Sequence, residues 1–243
     1  MSTEAARAPI NQSVERAARL LSLFSVDEPE LTLAELQARL GTSKATAHRY
    51  ATALRRAGLL RLSGGGYTLG PRVVELAATA LAGLRIVKVA GPYLERLVSE
   101  LNETAVLSVW DGDAPVVVRV DDNTDRLVRI NVRTGSRLPL DSAQGKIFRA
   151  HLGAPDDDEA VAVRQAGVAF NARTVEGIAA LAAPVFQGDE VVATMALVGT
   201  TASIAPELDS AAATRLRELA DALSAELGFL PTERRNGGRA RAR

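Results

Sequence analysis

Between Thr32 and Leu69 the sequence TLAELQARLGTSKATAHRYATALRRAGLLRLSGGGYTL leaves the backbone few choices. Thr32 is followed three residues later by Glu35, the capping-box spacing, so a helix opens at Leu33 with Leu33, Leu36 and Leu40 turned inward. Gly41 supplies the left-handed position that ends it. Thr42 or Ser43 caps a second helix, about Ser43–Ala57, which Gly58 stops. At helical spacing Ala47, Tyr50, Ala51 and Leu54 share one side; Ala45, His48, Arg49, Thr52 and Arg56 share the other. Two helices joined by a short glycine turn, the second basic on its free face, form the pattern of a helix-turn-helix. Leu59–Leu62, the Ser63-Gly64-Gly65-Gly66 turn and Tyr67–Leu69 add a β-hairpin, a wing.

Charge suggests what this unit touches. Gln37–Val74 holds seven basic residues (Arg39, Lys44, Arg49, Arg55, Arg56, Arg61 and Arg72) and no acid. A solvated basic face is one reading and an electrostatic footprint for phosphates the other. Net charge is zero, yet residues 1–86 carry +4, residues 87–230 carry −8 and residues 231–243 carry +4. The N-terminus of the second helix has unpaired N–H groups and a positive dipole end, both suited to phosphate. The small side chains Ser43, Ala45 and Thr46 allow deep entry into a major groove. Lys44 and Arg49 can reach guanine acceptors or phosphates, and Ala45 and Thr46 a thymine methyl. Lys44, His48 and Arg49 are expected to matter most, His48 as a donor to phosphate or base, or else as a solvated surface group. Arg61, Ser63, Gly64 and Gly65 are placed to touch neighbouring phosphates, glycine permitting close backbone approach.

Patterning divides the chain into a disordered arm (1–11), a DNA-binding domain (12–70), a linker helix (71–86), a second domain (87–230) and a basic disordered tail (231–243). The first helix is expected over Gln12–Val26, with Val14, Ala17, Ala18, Leu21 and Phe24 inward. Pro71 opens an Ala- and Leu-rich helix to Leu84, a candidate self-association surface. Next come a helix over Pro92–Asn102 and strands at Ala105–Asp111, Pro115–Asp121 and Leu127–Val132. Helices at Gly145–Leu152 and Asp158–Ala166, a hairpin of Ile178–Gln187 with Val191–Val198, and a closing helix over Pro206–Leu227 follow. Hairpin turns between successive strands make the class α+β with an antiparallel sheet. The chain has no cysteine and two histidines, which excludes disulfides, thiolate sites and a cysteine nucleophile, and argues against a multi-histidine metal site; no cofactor is expected. No apolar run approaches the roughly 18 residues of a membrane span. The N-terminus lacks a secretory h-region, so a cytoplasmic chain is expected.

Five stretches in order resemble the IclR family of transcriptional regulators over nearly the whole length. They are Gln12–Ala17; the helix-turn-helix LAELQARLGTSKATAHRYATALRRAGLL; YTLGPRVVEL; GSRLPLDSAQGKIFRAHL; and GIAALAAPVFQGDEVVATMALVG. The resemblance implies a winged helix-turn-helix joined by a linker helix to a GAF-like effector domain. It also implies dimers, often paired into tetramers, that bind double-stranded operator DNA under small-molecule control. Some members repress and others activate.

In that resemblance Ser142, Ala143 and Gln144 lie at the mouth of the effector pocket and offer backbone N–H groups at a helix start, useful for a carboxylate. A phosphate-loop reading of Gly145-Lys146 fails on Walker spacing, and Ser142 with Lys146 misses S-x-x-K. Motif matching assigns Asn171, Ile178, Ala180, Ala196 and Val198 to the pocket lining. Several members that bind small acids have Asp, Cys or Ser at such places; Ala180, Ala196 and Val198 point instead to a larger or more hydrophobic effector, aromatic acids included. Trp110 is a pocket wall or a core residue. Arg119 and Arg129 meet a ligand carboxylate or, more simply, Asp121 and Asp122. The acids Asp156–Glu159 complement a helix dipole rather than hold a metal. His151 packs or faces solvent. The reading is a repressor of a catabolic or metabolic operon and not an enzyme. An enzyme with an accessory N-terminal domain is the alternative, opposed by the missing acid/base constellation; an effector-free architectural DNA binder is another.

Overall fold

The computed structural model describes residues 11–122, 130–153 and 157–228. The chain divides into two compact units, residues 1–83 and 84–243. Arg129, Asp156 and the basic tail lie outside the described residues, as does the N-terminal arm apart from Asn11.

The first unit runs α1 (Gln12–Leu21), β1 (Glu30–Leu31), α2 (Leu33–Leu40), α3 (Lys44–Arg56), β2 (Leu60–Ser63), β3 (Gly66–Leu69) and α4 (Pro71–Gly83). The capping box forms as the spacing requires: Glu35 N–H donates to Thr32 Oγ1 at 3.3 Å and Thr32 N–H to Glu35 Oε2 at 2.7 Å. Gly41 ends α2 at φ +62°, and Ser43 caps α3 by accepting from Thr46 N–H at 3.2 Å. Leu20, Phe24, Leu31, Leu36, Ala51 and Leu54 form the core of this unit.

Some expectations about this unit are corrected. Helix α1 stops at Leu21 rather than Val26, because the N–H groups of Leu23 and Phe24 turn to the carbonyls three residues back, tightening the chain. Its buried residue is Leu20, and Phe24 joins the core from beyond the helix end, while Val14 is 63% exposed and Ala18 faces solvent. Strand β1, two residues long, carries no periodicity; it pairs with β3 (Glu30↔Thr68, Leu31↔Tyr67), giving the sheet order β1-β3-β2. The wing turn is the two residues Gly64 and Gly65, both at positive φ, with Ser63 and Gly66 inside the strands.

The second unit runs α5 (Arg85–Val89), α6 (Gly91–Leu101), β4 (Thr104–Trp110), β5 (Pro115–Asp121), α7 (Ala143–His151), α8 (Asp158–Ala166), β6 (Ala169–Asn171), β7 (Ile178–Gln187), β8 (Glu190–Thr200) and α9 (Ala211–Glu226). The strands form one antiparallel sheet in the order β5-β4-β8-β7-β6. Alternation sends Leu107, Met195, Leu197 and Leu181 to a core shared with Leu94, Leu97, Leu216 and Leu223 of α6 and α9. Val106, Ala182, Ala196 and Val198 face the opposite way, onto Ile147, Ala150, Ala160 and Val163 of α7 and α8. Helices on both faces explain why β7 and β8 read as nearly continuous apolar runs.

Here too some expectations change. Residues 127–129 of the expected third strand lie outside the described residues, and 130–132 are not strand. Instead, residues 135–138 cover the free edge of β5: the N–H groups of Gly135 and Leu138 donate to the carbonyls of Val117 and Pro115, and Val117 N–H donates to Ser136 O. Strand β6 was not foreseen. Helix α9 starts at Ala211, capped by Ser210, and not at Pro206.

Candidate functional site

On the first unit, Ser43, Lys44, Ala45, His48 and Arg49 are exposed along one side of α3 while Ala47, Ala51 and Leu54 are buried on the other; Thr46 and Tyr50 are half-buried. Arg61, Gly64 and Gly65 are exposed in the wing, and Ser63 half-buried. Folding also edits the basic run. Arg39 forms a bidentate pair with Glu28, both oxygens at 2.7 Å. Arg61 Nε donates to Thr68 Oγ1 at 3.0 Å. A Cβ on Gly66 would lie 2.8 Å from Glu30 Cγ, so a carboxylate side chain runs beneath the wing turn. Lys44 and Arg49 have no ion pair among the described residues; Arg49 sits over the Tyr50 ring at 5.9 Å.

On the second unit, a cavity of about 230 Å³ opens at the N-terminus of α7. Ser142, Ala143, Gln144, Asn171, Ile178, Ala180 and Val198 all line it. Ala196 does not: it is fully buried in the core between sheet and α7. Sequence reasoning missed the rest of the wall, which includes Ile130, Val132, Arg133, Leu138, Thr174 and Val175. They stand in irregular segments where no periodicity marks an inward side chain.

The polar groups at this cavity divide into those already engaged and those free. Ser142 is engaged twice: its N–H donates to Pro139 O at 3.0 Å and its Oγ accepts from Gly145 N–H at 3.0 Å. Its backbone N–H is therefore not available to a ligand, contrary to expectation. Asn171 is engaged as well. Its Nδ2 donates to Asp141 O, and its Oδ1 accepts from the N–H groups of Arg173 and Thr174 at 2.8 and 3.1 Å. It ties the 171–174 turn to the start of α7. The N–H groups of Ala143 and Gln144 make no hydrogen bond among the described residues, and neither does the buried side-chain amide of Gln144. Gly145 allows this arrangement, since a Cβ there would lie 2.5 Å from Leu140 O. Lys146 donates to Phe170 O at 3.3 Å and pairs with Glu159 at 3.0 Å, and does not line the cavity.

The other candidates fall outside the cavity. Trp110 packs on Phe148 of α7, ring centroids 5.4 Å apart. Arg119 forms a bidentate pair with Asp121 at 2.7 and 2.9 Å. Asp157 caps α8 by accepting from Ala160 N–H at 2.7 Å. His151 packs edge-on against Phe186 at 5.3 Å; desolvation, then the charge of Arg164, lowers its pKa to about 4. Among the described residues, no group of three or more His, Cys, Asp and Glu could hold a metal, and no helix is long and apolar enough to cross a membrane.

The first unit thus presents a basic helix beside a wing, and the second holds a ligand-sized cavity beside a helix-flanked antiparallel sheet. The family model of the IclR helix-turn-helix domain matches residues 13–64, and that of the bacterial transcriptional regulator IclR C-terminal domain matches residues 78–162. The chain belongs to the IclR family of DNA-binding transcriptional regulators. It is 27% identical to the DNA-binding transcriptional repressor YiaJ of Escherichia coli over 94% of this chain and 92% of that one. It is 34% identical to the HTH-type transcriptional regulator Rv1719 of Mycobacterium tuberculosis, over 70% of this chain and 65% of that one. The crystal structure of an IclR transcriptional regulator from Alicyclobacillus acidocaldarius superposes with a TM-score of 0.72 at 28% identity, covering 89% of this chain and 98% of that one. These relatives are regulators and not enzymes.

Proposed function

We propose that the chain is a sequence-specific repressor whose grip on operator DNA is set by a small amphiphilic acid bound in the α7 cavity. The observation that carries this reading is the pair of unbonded N–H groups at Ala143 and Gln144, beside the Gln144 amide, at one end of a cavity walled by Ile130, Val132, Leu138, Ile178 and Val198. Buried donors without partners are costly, and a carboxylate at a helix start satisfies them. The apolar wall suits a hydrophobic or aromatic body on that acid. Repression rather than activation is supported by YiaJ, which is named a repressor. Exposed Val74, Leu76 and Leu81 on α4 support self-association as a dimer or tetramer, which sets two copies of α3 in successive major grooves. Effector binding then shifts the population of poses that fit the operator.

The test is a thermal-shift screen of aromatic and aliphatic carboxylates against their primary amides. A carboxylate that raises the melting temperature, while its amide does not, is the expected result. The same compound should release DNA fragments enriched from genomic DNA by the protein. If no acid stabilises the chain while DNA binding persists, the effector reading is lost and an effector-free DNA binder stands in its place.

A further inference from the structure

Arg16 and Arg19, one turn apart on α1, line a cleft of about 180 Å³ with Gly41, Thr42, Thr46 and Tyr50. Both charged groups at this cleft are cations. Arg19 has no ion pair or hydrogen bond among the described residues, and Arg16 lines the cleft beside Tyr50. Elsewhere in the unit Arg39 is neutralised by Glu28; here two like charges at i and i+3 face the same space unbalanced, an arrangement that is unfavourable unless an anion fills it. The remaining polar groups can donate as well. Thr46 Oγ1 accepts from Ser43 and keeps its own proton, and Thr42 adds a second hydroxyl. A concave site with two guanidinium forks and two hydroxyls matches a compact, acceptor-only anion with several oxygens, which is a phosphate group.

We propose that the Arg16–Arg19 cleft binds a phosphodiester of the DNA backbone flanking α3. The proposal rests on the DNA-binding reading and extends it to α1. Thr46 joins the two surfaces, because it lines the cleft and stands in the first turn of α3. A duplex that receives α3 in its major groove carries a sugar-phosphate strand past that turn. A free phosphate ion shares the chemistry, and the experiment separates the two.

The full-length chain is titrated onto a fluorescein-labelled duplex of random sequence across a salt series, read by anisotropy. Each phosphate contact adds about 0.9 to the slope of log K against log salt, so Arg19→Gln should lower the slope by about 1 and Arg16→Gln/Arg19→Gln by about 2. Arg96→Gln, on α6 of the other unit, should leave it unchanged. Circular dichroism checks folding; Arg19 touches no described partner, so Arg19→Gln alone decides the matter if the double variant does not fold. An unchanged slope in Arg19→Gln, with wild-type DNA binding intact, overturns the cleft and spares the DNA-binding reading. Wild-type protein with no salt-dependent affinity for duplex overturns both. Calorimetry with inorganic phosphate supplies the second arm: saturable binding that Arg19→Gln abolishes, with the DNA slope unmoved, reassigns the cleft to free phosphate and overturns the proposal.

Discussion

Asn171 and Gln144 are both buried amides at one cavity, and their surroundings give them opposite roles. Asn171 accepts two backbone N–H groups and donates to Asp141 O, so it shapes the wall. Asn171→Ala should destabilise the second unit by roughly 2 kcal/mol through the stranded amides, read by thermal denaturation, and weaken any effector through a loosened wall. Gln144 holds no such bonds and is free to meet a ligand. His151 is another residue whose role only burial reveals. Folded, it stays neutral down to about pH 4, whereas the unfolded chain takes up a proton near pH 6.5. The unfolded state therefore binds more protons between those values, and stability falls as pH drops from 6.5 towards 4, then levels off. The loss should be up to about 2 kcal/mol, less than the full shift because the group is partly screened by solvent. His151→Leu should flatten that part of a pH-stability curve measured by urea denaturation.

Helices with chemical punctuation were legible at the scale of elements. Thr32, Glu35, Gly41 and Ser43 announce the ends of α2 and α3 because capping is a local hydrogen-bond requirement, satisfied by neighbours in sequence. Ser43→Ala should cost about 1 kcal/mol of stability in the first unit, seen as a lowered melting temperature, with Lys44 and Arg49 still in place. At Gly70 the constraint is steric: a Cβ would lie 2.1 Å from Gly58 O, so Gly70→Ala should unfold the wing or displace α4, detectable as lost amide protection in hydrogen exchange. Elements of two or three residues, β1 and β6, were not legible. They exist because a long-range partner strand satisfies their backbone, and so few side chains show no period.

Across the whole molecule, the two units divide the labour between DNA and effector, and each has its own core. Helix α4 buries no residue and leaves Val74 71%, Leu76 54% and Leu81 37% exposed. A helix of such composition is stable when its apolar side is covered. Val74→Glu should shift sedimentation towards the monomer and cut affinity for enriched genomic fragments, because the two half-sites are then no longer held together. Unaltered sedimentation would move the self-association surface elsewhere.

By itself, the amino-acid sequence determined the helix-turn-helix, its wing, the basic free face of α3 and the antiparallel class of the second unit. Those features rest on local rules: capping, glycine conformation, side-chain period and turn chemistry. The tertiary structure alone decided which polar groups are left for a partner. It placed Glu28 on Arg39, Glu30 beneath the wing, Pro139 on the Ser142 amide and Asp141 on Asn171, and it left Arg19 and the Ala143 and Gln144 amides open. Hydrogen bonds and charges are satisfied through space. Which groups remain free for DNA or ligand depends on neighbours that only folding brings into contact.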